Sequence, residues 1–320
     1  MNRRRFLASL GLTPSLFTGC TSPSLEPYPN RDVKMVVQAA PGGLSDTVSR
    51  IIASQMESTL GVPVVCENKP GAAGALAFSF VSRRPPDGYT LGHAPVELAI
   101  LKTLGYTSVS PETVDPLCLV SKTRPALAVA AASPFKDFAS FLSGVRERPG
   151  HFIAGNSGTG SIWHLNALLM EQALGLKLLH VPFGGSSATI TNLMGRHIDL
   201  AVMGVGEAVP QVDAGSLRVL AVFDQDRTPL LPQVPAVREL GYSFGANAWS
   251  GFFGPKGIPA PAKELLATAF RKAFESDLFQ KVCKDRGMEA FFLPESEFTA
   301  FAKQQARFFD TRVPQLLSIS

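Results

Sequence analysis

The chain has 320 residues, 18% of them charged, and a formal net charge of +4. Three of its basic residues, Arg3, Arg4 and Arg5, lie in the first nineteen positions, which hold no acid, and the rest balances 27 basic against 26 acidic residues. That near-neutral remainder excludes a nucleic-acid surface, and about 290 residues past the N-terminal region are enough for two lobes.

Residues 1–19 read as an export signal. Arg3-Arg4-Arg5-Phe6-Leu7 fits the twin-arginine pattern, and the apolar stretch from Phe6 to Phe17 is too short, and too broken by Gly11 and Pro14, to span a bilayer. It ends in Leu16-Phe17-Thr18-Gly19-Cys20, similar to a bacterial lipobox, so Cys20 is the expected lipidation site and the chain is expected to be held at a membrane by that anchor. Ordinary cleavage, with Cys20 incidental, is the alternative. Residues 20–30, with three prolines, form a tether. Cys66, Cys118 and Cys283 are widely spaced and join no C-x-x-C or Cys/His cluster, so no metal site or cofactor is expected. They read as small buried residues, with one disulfide in an oxidising compartment left open.

The organising unit is Val33–Leu60. A short apolar strand runs into Pro41-Gly42-Gly43, and a helix follows with Val48, Ile51, Ile52, Met56 and Leu60 on one face and Gly61 as its stop. Ser45 and Asp46 can cap the unpaired N–H groups at the helix start, and the glycines let a ligand approach them, where the helix dipole favours an anion. Val62–Glu67 is a second strand, Lys69–Gly74 a second glycine turn, a small-residue helix follows to about Val81, and Tyr89–His93 is a third strand.

The second half repeats this order. The strand His151–Gly155 enters Asn156-Ser157-Gly158-Thr159-Gly160, and a helix with apolar Trp163, Leu165, Leu168, Leu169 and Leu174 stops at Gly175. Lys177–Val181 leads into Pro182–Ser187, a helix from about Ala188 ends at Gly195, and Ile198–Met203 is again a strand. The glycine turns lie 29 residues apart in the first half (Gly42 to Gly71) and 27 apart in the second (Gly158 to Gly185). Short strands alternating with helices argue for parallel sheets, here two mainly parallel α/β lobes flanked by helices. Residues 31–126, completed by 250–320, form the first lobe and 127–249 the second. Ala126–Ala131 and Trp249–Gly254 are the expected crossings between them. Leu217–Phe223 is a further strand, and from Pro261 the chain reads as helical, with Phe270, Phe298 and Phe309 on a packing stripe. Two crossings with a C-terminal return make a hinged clamp with its ligand in the cleft.

The motifs Ala40–Arg50 (APGGLSDTVSR), Val65–Gly74 (VCENKPGAAG), Pro86–Gly92 (PDGYTLG), Ser157–Leu165 (SGTGSIWHL), Val181–Gly185 (VPFGG), Gly195–Leu200 (GRHIDL) and Trp249–Gly257 (WSGFFGPKG) carry a resemblance. In this order the sequence resembles the extracytoplasmic solute receptors of tripartite tricarboxylate transporters, the Bug family, over nearly the whole chain past the signal. The resemblance implies a type II periplasmic-binding fold, a periplasmic location and a monomer. It also implies a small carboxylate ligand, handed to an inner-membrane permease. It places ligand-gripping backbone amides at Gly42, Gly43, Leu44 and Ser45 and at Ser157, Gly158 and Thr159. The chain departs from the family at Cys66, where an aliphatic residue is common, and at Ala246-Asn247-Ala248, where an acid is common. Its twin-arginine lipoprotein signal is also less usual there.

Several further residues carry two readings. Asp46 would repel an anion directly, so it is read as shaping the turn by accepting backbone N–H bonds. His164 can donate to a carboxylate or bond its own loop. Thr159, Ser157 and Ser186 beside Gly185 are hydroxyl donors or ordinary caps, and Trp249 walls the ligand or packs the hinge. No catalytic motif is present, and an enzyme is not expected: Gly155-Asn156-Ser157-Gly158-Thr159 misses the G-x-S-x-G elbow at its last position. A Ser157/His164 hydrolase and a receptor coupled to a sensor kinase are the alternatives.

Overall fold

In the computed structural model, residues 28–317 are described; the signal, Cys20 and most of the tether lie outside them. The first lobe starts with β1 (Val33–Val37), α1 (Leu44–Leu60), β2 (Val64–Asn68), α2 (Ala75–Ser82), β3 (Thr90–Pro95) and β4 (Val114–Thr123). The chain then enters β5 (Pro125–Ala130), α3 (Phe138–Glu147), β6 (Ile153–Asn156), α4 (Ile162–Leu174), β7 (Leu179–Pro182) and α5 (Ser186–Met194). It continues through β8 (Leu200–Gly204), α6 (Val205–Asp213) and β9 (Leu217–Val222). It returns through β10 (Ala248–Pro255), α7 (Ala260–Glu275), α8 (Asp277–Asp285), β11 (Glu289–Leu293) and α9 (Glu295–Leu317).

The two sheets have one plan. In the first, the order is β11-β4-β10-β3-β1-β2; in the second it is β7-β6-β8-β5-β9. The triplets β2-β1-β3 and β7-β6-β8 are parallel, as the repeated strand–turn–helix units dictate. Each triplet is then flanked by an antiparallel strand that arrives from the other lobe, β10 against β3 and β5 against β8, so each sheet is mixed. The first crossing is the single residue Arg124 between β4 and β5, and the second is the segment Phe223–Asn247 between β9 and β10. Ala126 and Trp249, expected within the crossings, lie in the first strand after each one. The C-terminal region is not helical throughout: β11 interrupts it and pairs antiparallel with β4.

Burial follows this layering. Met35, Ile52, Phe252 and Phe270 pack on one face of the first sheet, and Phe78, Phe253, Phe298 and Phe309 on the other. Helix α4 differs from a surface helix, because Ile162 through Met170 are all buried. Its Ala167 and Met170 face the second sheet, while Trp163, Leu168 and Leu169 join the core containing Trp249 and Phe298 of the first lobe. A helix wedged between two lobes has no solvent side and must be apolar around its circumference. Its one buried amide, Asn166, is fully satisfied: Nδ2 donates to Ile162 O (2.8 Å) and Ala246 O (2.9 Å), and Oδ1 accepts from Ala246 N (2.8 Å). Asn166 thereby pins the second crossing to the helix. Cys118 and Cys283 are buried and Cys66 is half-buried; all three are free thiols. Burial pushes the Cys66 thiol up to about 11 and that of Cys283 to about 12, which leaves both thiols protonated and unreactive near neutral pH.

Candidate functional site

The carboxyl ends of both parallel triplets open into glycine turns that start helices, and the segment after β3 meets the second lobe's turn across the lobe interface. Glu97 follows β3, and its Oε1 accepts from Ile162 N (3.4 Å) at the start of α4 in the other lobe. Leu104 packs so closely on Gly160 that a Cβ there would lie 2.4 Å from its Cδ1. Binding sites in open α/β sheets form at such carboxyl edges.

In the first turn, Gly42 takes φ +83°, a conformation that favours glycine, whereas Gly43 is extended at φ −75°. Asp46, 4% exposed, is the hub beneath it. Its Oδ2 accepts from Gly42 N (2.9 Å) and Arg50 Nε (3.0 Å), and its Oδ1 from Asn68 Nδ2 (2.8 Å). Asn68 also donates to Ala39 O (2.9 Å) and accepts from Arg50 (2.8 Å), which ties the end of β2 to the end of β1. Burial opposes ionisation of Asp46, but the bonds from Arg50, Gly42 and Asn68 outweigh it and hold the carboxyl below its ordinary range. The Gly42 amide is therefore committed to Asp46, which corrects the expectation that it faces a ligand. The N–H groups of Gly43, Leu44 and Ser45 precede the first i→i−4 bond, from Thr47 N to Gly43 O (2.9 Å), and lie at the positive end of α1. Gln38 Nε2 donates to Ser45 Oγ (2.9 Å), which leaves the Ser45 proton able to point outward. Gln38 is in turn held by His93 Nδ1 (2.9 Å), a buried imidazole whose pKa desolvation lowers to about 3.

The second turn uses neutral groups for the same tasks. Gly158 takes φ +130° and Gly160 φ +77°. Asn156 Oδ1 accepts from Gly158 N (3.0 Å), and His164 Nδ1 accepts from Gly160 N (3.1 Å). The Gly158 amide is thus also committed internally, leaving those of Ser157 and Thr159. His164 is 5% exposed, and burial, helped by neighbouring His180, lowers its pKa to about 4. It is a neutral loop support with its proton on Nε2, and no hydrogen bond joins it to Ser157 among the described residues. A base in that state does not activate Ser157.

Gly185 (φ +139°) opens the third turn and α5. Glu207 Oε2 accepts from Gly204 N (2.9 Å) at the start of α6, with Ser186 beside this carboxyl. Desolvation raises the carboxyl pKa of both Glu207 and Glu97. Trp249 is buried with its ring edge-on to Phe298 (5.4 Å) and Phe301 (6.0 Å), so it packs α9 onto the strand that follows the second crossing. At the crossings themselves, Arg124 Nε donates to Asp224 (2.7 Å), joining the two connections in one ion pair. Sequence reasoning missed Gln38, Asn156, Asn166, Arg124 and Glu207. Of these, Asn156 carried a signal, since an Asn at a strand end before glycine is a turn former.

Two lobes with matching sheets, joined by two crossings and each carrying glycine turns at the carboxyl ends of its parallel strands, define a solute-binding receptor of the periplasmic type. A family model described as tripartite tricarboxylate transporter family receptor matches residues 48–311, and the chain belongs to that family. The periplasmic binding protein BugD is 30% identical, aligning over 90% of this chain and 98% of its own with a TM-score of 0.80. MatC from Rhodopseudomonas palustris, solved with bound malate, is 28% identical over 90% of this chain and 99% of its own, with a TM-score of 0.79. Rpa4515 of the same organism, solved with adipate, is 25% identical over 90% and 98% of the two chains, with a TM-score of 0.82. Among the described residues no helix is long and apolar enough to cross a membrane, and no group of three or more His, Cys, Asp or Glu side chains is placed to hold a metal.

Proposed function

We propose that this protein is an exported, lipid-anchored receptor that captures a small carboxylate between its lobes, releases it unchanged and delivers it to an inner-membrane permease of the tripartite type. The observation that carries this reading is the pair of glycine turns leading into α1 and α4, with the amides of Gly42, Gly158 and Gly160 fixed internally and neighbouring amides left without a partner among the described residues. Gly43, Leu44 and Ser45 from one lobe, with Ser157 and Thr159 from the other, offer five N–H donors to one anion. A carboxylate suits five donors and no fixed cation. The malate and adipate bound by two neighbours support dicarboxylates as the first ligands to test. Gly185 and Ser186 form a third side, next to Glu207. Asp46, His164 and Trp249 act behind this surface, as turn hub, loop support and hinge packing. A thermal-shift screen of mono-, di- and tricarboxylates, followed by calorimetry, tests the reading. A true ligand at 100 times its dissociation constant adds about 2.7 kcal/mol of stability and is recovered chemically intact. Consumption of the ligand, abolished by Ser157→Ala, would establish a hydrolase instead. The anchor is tested separately: Cys20→Ala should end acyl labelling and free the protein from membranes, and unlabelled wild type refutes it.

A further inference from the structure

A cavity of about 900 Å³ lies where α4, the second crossing and α9 come together. Its volume is in the range of small-molecule sites. Phe223, Tyr242 and Phe244 from the crossing and Phe308 from α9 supply aromatic walls, with Phe223 and Phe244 edge-on at 4.9 Å. Two guanidiniums also line it. Arg312 has no acidic or hydrogen-bond partner among the described residues, and Arg238 meets only the neutral Gln225 Oε1 (3.4 Å). The one acid in the wall, Asp224, is already neutralised by Arg124 (2.7 Å). The lining therefore has an uncompensated positive charge beside aromatic surface. Asn247 also lines it, with its Nδ2 facing Asp224 Oδ2 (3.5 Å) and its Oδ1 shut off from solvent.

We infer that this hinge cavity is a second ligand site for aromatic carboxylates. The ring lies against the aromatic walls, and the carboxylate pairs with Arg312 and Arg238. Calorimetry and ligand-observed NMR with 4-hydroxyphenylacetate test this, with malate as the cleft probe. 4-Hydroxyphenylacetate should bind wild type and Gly43→Val equally, without competition from malate. The Arg238→Ala/Arg312→Ala double variant should weaken it at least about tenfold, and acetate, which lacks the ring, should bind wild type at least about tenfold more weakly. Displacement by malate, equal binding to the double variant, or no binding at about 10 mM overturns the proposal. The cleft reading fails on a different result, a carboxylate that binds Gly43→Val as tightly as wild type, so the two failures are separable.

Discussion

The first turn of each lobe solves the same problem with opposite electrostatics. Beneath Gly42 the acceptor is a carboxylate, Asp46, kept ionised by Arg50 and Asn68; beneath Gly158 and Gly160 the acceptors are the neutral Asn156 and His164. A turn that presents N–H donors to an anion needs one amide held in place so that its neighbours point outward. A charged acceptor does this more strongly but puts a negative charge beneath an anion site, and Arg50 offsets that charge. The second lobe avoids the charge and accepts a more strained backbone, with two glycines at positive φ.

The largest expected effect separates the two turns. Gly43 is extended, and a Cβ there would meet only Ala40 O at 3.7 Å, so Gly43→Val should fold with a loss of about 1 kcal/mol from its cap position. Its side chain would nevertheless stand where a carboxylate approaches the amides. Two charge-assisted bonds at roughly 1.5–3 kcal/mol each predict a loss of affinity of about a hundredfold or more. Gly158→Val should lose binding too, but with lower thermal stability, because valine resists φ +130°. Calorimetry and thermal denaturation on both variants check this. Equal stability would mean that the turns do not differ as described.

Next in size is the hub itself. Asp46→Ala removes the partner of Gly42 N and leaves Arg50 without its buried acid, for a cost of about 2–3 kcal/mol. Asn156→Ala, which removes one neutral bond, should cost about 1 kcal/mol. Urea denaturation compares them, and a larger effect at Asn156 would reverse the ranking.

The legible parts of this chain were those fixed by local chemistry. Pro41-Gly42-Gly43, Gly61, Gly175 and the repeated spacing mark turns and helix ends whose backbone angles few other residues adopt. Strand β4 was missed because its sequence, VDPLCLVSKT, carries an acid and a proline. The fold accommodates Pro116 at a register shift opposite Phe252 and Phe253, and Asp115 is compensated by Lys256, Lys263 and the amides of Gly257 and Ile258. Strand β11 (EAFFL) reads equally well as one turn of an aromatic helix, and only pairing with β4 decides its state. At the site, glycine positions were readable, whereas the commitment of the Gly42 and Gly158 amides was not. That depends on side chains from Asp46 and Asn156 folding back onto them.

Buried neutral imidazoles make both lobes acid-sensitive. His164 titrates at about 4 in the folded protein, below its ordinary value near 6.5. As pH falls from 6.5 towards 4, the unfolded chain gains a proton that the native state refuses, so stability is lost across that window and regained as pH rises. The ceiling for this group is about 3 kcal/mol, and His93, with a pKa of about 3, adds loss in the same direction. His164→Gln keeps an acceptor for Gly160 N without a proton to gain, so its stability should fall less steeply between pH 6.5 and 4 in urea titrations. An unchanged slope would show that His164 is not the titrating group. Glu97 and Glu207 act oppositely: their raised carboxyl pKa favours the protonated native form, so their contribution weakens as pH rises above the ordinary glutamate range.

The smallest expected effect concerns hydroxyls, and it again sets one lobe against the other. Ser45 Oγ accepts from Gln38 Nε2 at 2.9 Å, and that bond fixes the oxygen while leaving the proton for a ligand. Ser186 lies beside Glu207 instead, and among the described residues no amide like that of Gln38 positions its hydroxyl. One hydroxyl bond is worth about 0.5–1.5 kcal/mol, so Ser45→Ala should weaken carboxylate binding by roughly two- to tenfold. Ser186→Ala should leave affinity within about twofold, since no neighbouring amide positions its hydroxyl for the ligand. Gln38→Leu gives the sharper comparison. It leaves Ser45 in place but frees its hydroxyl to rotate, and its loss should approach that of Ser45→Ala, with the double variant no worse than either single change. Calorimetry on the four proteins reads this directly. If Ser186→Ala weakens binding more than Ser45→Ala, the hydroxyl donor belongs to the second lobe and the assignment of Gln38 as its positioning residue fails with it.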